Sequence, residues 1–155
     1  MLQKAVSIWE SHVPQVEHIS GLISWSLIMN PILPLTMQRS REAGGNCLGL
    51  ESKKPLIMAT IGAGWENSHS DTGVIEASKR ALDVIEAEAK SRGLSHSYVY
   101  MNYAWEDQKV IDGYGPEMKE FLRRVSRKYD PHGVFQMAVP GGPKLFGSVG
   151  EYLEY

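Results

Sequence analysis

The chain has 155 residues, 43% of them hydrophobic, 22% charged and 9% aromatic, with 16 Lys plus Arg against 18 Asp plus Glu for a formal net charge of −2. A length of this order suits one domain, able to bury roughly 68–70% of its unfolded surface, and so much apolar content with so little net charge excludes disorder. The charge balance gives no global pull toward nucleic acid or anionic lipid, and the lone Cys47 excludes an intrachain disulfide framework and a Cys-based zinc site.

Leu2, Ala5, Val6, Trp9 and Val13 recur at helical spacing, which predicts a short amphipathic helix over 2–13 that breaks at Pro14. GLISWSLIM at 21–29 reads as a strand with Leu22, Trp25 and Leu27 spread over both faces, closed by Asn30-Pro31 and Pro34. TMQRSREA at 36–43 predicts a short helix stopped by Gly44-Gly45. CLGL at 47–50 and PLIMATIGAGW at 55–65 read as two strands joined through Ser52-Lys53-Lys54, and neither alternates cleanly, so cover on both faces is expected.

The strongest pattern is at 71–92, with Ser70 or Asp71 as the cap. Val74, Ile75, Ser78, Ala81, Leu82, Ile85 and Ala89 form its stripe, and Gly93 its stop. SYVYMNY at 97–103 is aromatic and reads as a strand. Pro116 opens a second helix, expected to pack through Met118, Phe121, Leu122, Val125 and Tyr129 and to end at Asp130-Pro131. The order predicts an α+β fold: a mostly antiparallel sheet with helices on one face.

Generic motifs add little. Gly62-Ala63-Gly64 follows a strand, but a dinucleotide fingerprint needs another glycine and an immediate helix, which Trp65-Glu66-Asn67 does not supply. The simpler reading is a bulge or a close backbone approach. Five scattered histidines form no ligand spacing, so no metal is expected. Arg123, Arg124, Arg127 and Lys128 lie opposite the apolar face of their helix and read as a solvated face rather than a nucleic-acid patch. No apolar run reaches the roughly 20 residues of a membrane span. The first residues lack the apolar stretch and cleavage site of a signal peptide.

The residues from 97 onward carry more. Tyr100-Met101-Asn102-Tyr103, Gly113-Tyr114-Gly115, a helix, Tyr129-Asp130-Pro131, Gly133-Val134-Phe135-Gln136 and Pro140-Gly141-Gly142-Pro143-Lys144-Leu145 form an ordered series. This series resembles the C-terminal end of fungal FAD-linked oxidoreductases of the berberine bridge enzyme-like group. Gly44-Gly45-Asn46, Leu48-Gly49-Leu50 and the strand ending in Trp65 match the same group, so the resemblance spans about residues 20–146. Pro143 departs from it, standing where the group usually has Phe, and Gly147 to Tyr155 matches nothing in it.

The resemblance implies an expected role for each part. Residues 1–103 would belong to a substrate-binding domain and 104–155 to a segment that packs back on the FAD domain. No residue here resembles the FAD pyrophosphate loop or the flavin-carrying His, so a truncated chain is expected, with FAD retained only in doubtful measure. A separate N-terminal FAD-binding half would be its partner and a small natural product its substrate, with neither nucleic acid nor membrane involved. Asn102 and Tyr103 are the implied flavin-facing residues, and Tyr103 resembles the family tyrosine that deprotonates or orients the substrate. A phenol has an ordinary pKa near 10, so this role needs a shifted pKa or a proton relay. Thr60 falls near the place where plant relatives carry a Glu or Gln base, on a strand face with Met58 and Gly62. The implied chemistry is hydride transfer from an alcohol or amine to FAD in fungal secondary metabolism, including alkaloid assembly. The alternatives are a flavin-free ligand-binding or scaffold remnant, and a non-functional truncated product.

Overall fold

The computed structural model describes residues 1–147. The unmatched 148–155 stretch lies outside the described residues. The elements in chain order are α1 (Leu2–Val16), β1 (Leu22–Ile32), α2 (Pro34–Glu42), β2 (Leu56–Trp65), α3 (Asp71–Ser91), α4 (Val110–Gly113), α5 (Pro116–Tyr129) and α6 (Val134–Met137), with 3-10 turns at Ser68–Ser70 and Met101–Tyr103. No helix among the described residues is long and apolar enough to cross a membrane. The chain divides into two compact units, Met1–Ile32 with Leu56–His96, and Leu33–Pro55 with Ser97–Tyr155.

The first unit is α+β, with its antiparallel sheet and its helices on one face, as the patterning predicts. β1 and β2 pair antiparallel from Leu22↔Trp65 to Ile32↔Leu56. α1 and α3 pack together, and both contact the hairpin. Val16, Trp25, Ala77 and Ala81 form one buried cluster with Trp9, Ile61 and Ala63 against it, while Ala5, Ile8 and Ile85 form a second with Leu27 and Met29. Trp25 stacks on Trp9 at 5.8 Å between centroids and donates its indole N–H to Ser78 Oγ at 2.9 Å. Burying an indole therefore leaves no orphaned donor on Trp25.

Several local expectations are corrected here. Leu22 joins the same cluster as Trp25, because an irregularity between Leu22 and Ser24 re-phases the strand, while Ile28, paired with Thr60, stays on the other face. α1 runs through Pro14 to Val16, since Pro14 is exposed and Val16, 1% exposed, is locked into the core. β1 continues past Pro31, as both strands are edge strands, where proline is tolerated. Ser70 makes no side-chain cap; its hydroxyl instead donates to the Ser20 carbonyl at 2.7 Å, and Asp71 accepts from the Trp65 indole at 2.6 Å. Gly93 does end α3, in the left-handed region at φ +63.

The second unit is built from helices and braced loops. Val110, Ile111 and Tyr114 form its buried centre, with Leu48, Tyr98, Val99, Met118, Leu122 and Leu145 packed around them. The expected strand at 47–50 is absent: Leu48 packs into this cluster, Leu50 is buried, and the chain between them turns at Gly49. The expected strand at 97–103 is absent as well. Tyr98 and Val99 pack against the cluster, the Ser97 hydroxyl donates to the Gly113 carbonyl at 3.1 Å, and the chain closes into the Met101–Tyr103 turn. The only sheet among the described residues is the β1–β2 pair, and this segment does not pair with it.

α5 forms over the predicted residues, but with a narrower packing face. Met118 and Leu122 pack against the centre, whereas Phe121 and Tyr129 are exposed. The basic side is not simply solvated: Arg123 donates to the Leu145 carbonyl at 2.9 Å, and Arg123 and Arg127 lie over the Phe146 ring at 5.2 and 4.9 Å. Both Asp130 carboxylate oxygens accept from α6, from Val134 N and Phe135 N at 2.9 Å each. Lys144 closes the other end through the Phe135 and Val139 carbonyls, and Gln136 Oε1 accepts from Leu145 N at 3.0 Å.

Candidate functional site

The resemblance singles out Thr60, Asn102 and Tyr103, and the structure brings two of them together. Thr60 lies in the first unit, on β2, paired with Ile28 of β1. Alternation places it with Met58, Gly62 and Gly64 on the sheet face turned away from Ile61 and Ala63, which pack against the core cluster. The glycines make that face shallow, as a Cβ at Gly62 would stand 3.0 Å from Ile28 Cδ1 and one at Gly64 would stand 3.2 Å from Ser24 Oγ. The Gly62-Ala63-Gly64 run is therefore strand interior and close packing, not a phosphate loop.

Asn102 and Tyr103 belong to the second unit, on the 3-10 turn. The turn closes through Tyr103 N to the Tyr100 carbonyl at 3.1 Å. A strand would send the two side chains to opposite faces, whereas consecutive residues of a 3-10 turn are separated by about a third of a revolution. Asn102 Nδ2 donates to the Tyr100 hydroxyl at 2.9 Å. The Tyr100 and Tyr103 rings meet edge to face, 5.1 Å apart at 89°. Tyr103 is 59% exposed, so the turn presents a phenol, a carboxamide and a second, half-buried phenol to solvent. The sequence reading missed Tyr100. Its signal was the tyrosine pair three residues apart, which become neighbours once the segment is a turn rather than a strand.

The turn is anchored by a second aromatic pair. Tyr98 stacks on Tyr114 at 5.7 Å and 19°. Burial pushes the Tyr98 phenol above its ordinary value, with the nearby Tyr114, Tyr100 and Cys47 adding in that order. Burial also raises Tyr114, with a further contribution from Cys47. Both phenols are therefore neutral hydrogen-bonding groups near pH 7.

A cleft of about 480 Å³ lies elsewhere in this unit, lined by Arg41, Asn46, Cys47, Glu51 and Phe121 among others. Neither Asn102 nor Tyr103 lines it. Its floor loop is pinned by Asn46, whose Oδ1 accepts from Leu48 N at 2.9 Å and whose Nδ2 donates to Ser40 Oγ at 2.6 Å. Among the described residues no group of three or more His, Cys, Asp or Glu side chains is placed to hold a metal ion. Gln38 and Gln136 have local partners, Glu42 at 2.8 Å and Leu145 N. For a flavin, the exposed amide and aromatic ring of the turn fit the hydrogen-bonding and stacking needs of an isoalloxazine ring.

Comparison with known proteins gives several fungal relatives. The FAD-dependent monooxygenase sdcF of Emericella nidulans is 38% identical over 148 residues, 94% of this chain and 31% of that protein. The FAD-dependent monooxygenase tpcD of Cochliobolus heterostrophus is 45% identical over 118 residues, 74% of this chain and 23% of the relative. Oligopeptidase PhomG' of Diaporthe leptostromiformis is 34% identical over 94% of this chain, but that match is 12% of its own length. FAD-dependent monooxygenases of fungi recur at 31–45% identity and support a fungal FAD-linked oxidoreductase family for this chain. The chain spans under a third of the length of these relatives. No family model matches, and no solved structure matches.

Proposed function

We propose that this chain is the substrate-facing portion of a fungal FAD-linked oxidoreductase of the berberine bridge enzyme-like group, acting on a small natural product. The observation that carries the reading is the Tyr100–Asn102–Tyr103 turn, an exposed amide and phenol held by a third side chain, in a segment that has fungal FAD-dependent relatives. FAD, when bound, supplies the hydride acceptor for oxidation of an alcohol or amine, alkaloids included among the substrates. Tyr103 would orient the substrate's hydroxyl or amine and receive its proton through a relay, and Asn102 would hydrogen-bond the flavin ring. Thr60 would serve as a hydroxyl contact on the open sheet face rather than as a strong base. Most nucleotide contacts would come from a flavin-binding half outside this chain.

The test is the visible absorbance spectrum of the purified chain, before and after addition of FAD and removal of the excess. A retained flavin band supports the reading for this chain alone. A colourless chain that regains the band when mixed with a flavin-binding half of a relative supports it for the assembled protein. A chain that holds no flavin in either setting overturns it. Once a substrate is known, Tyr103→Phe is expected to lower turnover with flavin content unchanged, and unchanged turnover removes Tyr103 from the chemistry.

A further inference from the structure

We propose that Tyr100 is a positioning residue that sets the orientation of both Asn102 and Tyr103 toward the flavin, an inference that rests on the proposed reading of the turn. An exposed carboxamide can rotate and present either its oxygen or its nitrogen to a ligand. Here Asn102 Nδ2 is committed to the Tyr100 hydroxyl at 2.9 Å. Oδ1 and the second N–H remain for a ligand, an acceptor and a donor of the kinds that the N–H and C=O groups of an isoalloxazine can meet. The Tyr100 oxygen, having accepted from Asn102, still has its own O–H to donate.

The same side chain fixes its other neighbour. Tyr103 is 59% exposed and would otherwise sample several rotamers. The edge-to-face contact with Tyr100, 5.1 Å between centroids at 89°, biases it toward one of them by roughly two- to twelvefold. Tyr100 is itself half-buried and lies two residues from Tyr98, which stacks on Tyr114 in the buried centre of the unit. The order of support therefore runs from Tyr114 through Tyr98 and Tyr100 to the exposed pair, as a preorganised site requires.

The experiment is NMR on the 155-residue chain with FAD as the probe. Tyr100→Phe keeps the ring and removes the hydroxyl. The Asn102 side-chain amide resonances should move to the position of a free amide, while the ring-proton shifts of Tyr103 stay. FAD affinity, read at those resonances, should weaken about two- to twelvefold, the range expected for one lost hydrogen bond. Tyr100→Leu should move the Tyr103 ring protons as well. Asn102→Ala should weaken FAD binding, and adding Tyr100→Phe to it should cost little more, because the two act through one contact. An unmoved Asn102 amide in Tyr100→Phe, or full additivity of the two substitutions, overturns the proposal. If FAD shifts neither Asn102 nor Tyr103 in the unsubstituted chain, alone or mixed with a flavin-binding half of a relative, the functional reading fails and the proposal with it. The amide shift in Tyr100→Phe still reports separately on the contact itself.

Discussion

Gly49→Ala tests how the second unit holds the loop before β2 against its centre. Gly49 has φ +61, a conformation that costs an L-residue about 1–2 kcal/mol. A Cβ there would also land on the Tyr114 carbonyl, 2.9 Å from its carbon, and that obstacle is backbone rather than a side chain that can swing away. Shifting packed backbone adds about 1–3 kcal/mol, so Gly49→Ala should cost about 2–5 kcal/mol. Gly45→Ala is the internal control: its φ is +88, yet nothing stands within 4 Å of the added carbon. It should cost only the backbone share, about 1–2 kcal/mol. In urea, with an ordinary slope of 1–3 kcal/mol/M, the two midpoints should differ by about 1 M. Gly49→Ala should also alter the near-ultraviolet dichroism of the tyrosines, since it displaces the residue on which Tyr98 stacks. Equal midpoints for the two variants would refute the close approach of this loop to Tyr114.

Leu122→Ala should cost about 2 kcal/mol, the low end for a partly buried leucine, while Phe121→Ala, at a side chain 43% exposed, should cost less than half of that in the same melts. The Lys119 ammonium, 2.7 Å from Asp112, holds that carboxyl below its ordinary value. The pair's contribution to stability is thus present above the unfolded carboxylate range and is lost as pH falls through the lower folded value. A carboxyl titration by NMR should show Asp112 returning to the ordinary range in Lys119→Met. Tyr98 carries the opposite sign. Its raised phenol favours the folded state below about pH 10, and that contribution is lost as pH rises through the folded value. Tyr98→Phe should therefore flatten the alkaline loss of stability in melts carried from neutral pH up through the phenol range, and an unchanged alkaline slope would contradict the burial of Tyr98.

The sequence made the long elements legible and the short aromatic ones illegible, for physical reasons. α3 and α5 could be read because their apolar spacing repeats over several turns and Gly93, Pro116 and Asp130 mark their ends. β1 and β2 could be read because branched and aromatic runs between prolines and glycines have few other uses. Residues 97–103 have the composition of a strand, but β propensity measures fit to a half-buried pleated surface. This segment pairs with no strand, and Tyr98 and Val99 spend their apolar surface on the cluster of Val110, Ile111 and Tyr114 instead. Phe121 shows the same limit in a helix: it lies on the apolar arc by spacing, yet the unit's centre reaches only Met118 and Leu122.

The strand that became a turn matters most for the site. In a strand, Asn102 and Tyr103 would face opposite ways and only one could meet a ligand. The 3-10 turn lets Tyr100 reach both, through a hydrogen bond to one and a ring edge to the other. A short polar constellation of this kind cannot be found from periodicity, because its geometry depends on which neighbours absorb Tyr98, ahead of the turn in sequence. The pair proposed for the site is thus local in sequence, while its orientation is set by the tertiary anchoring of Tyr98 on Tyr114. A substitution at Tyr114 should consequently disturb the Asn102 amide without touching it, whereas one at the exposed Phe135, on α6, should not.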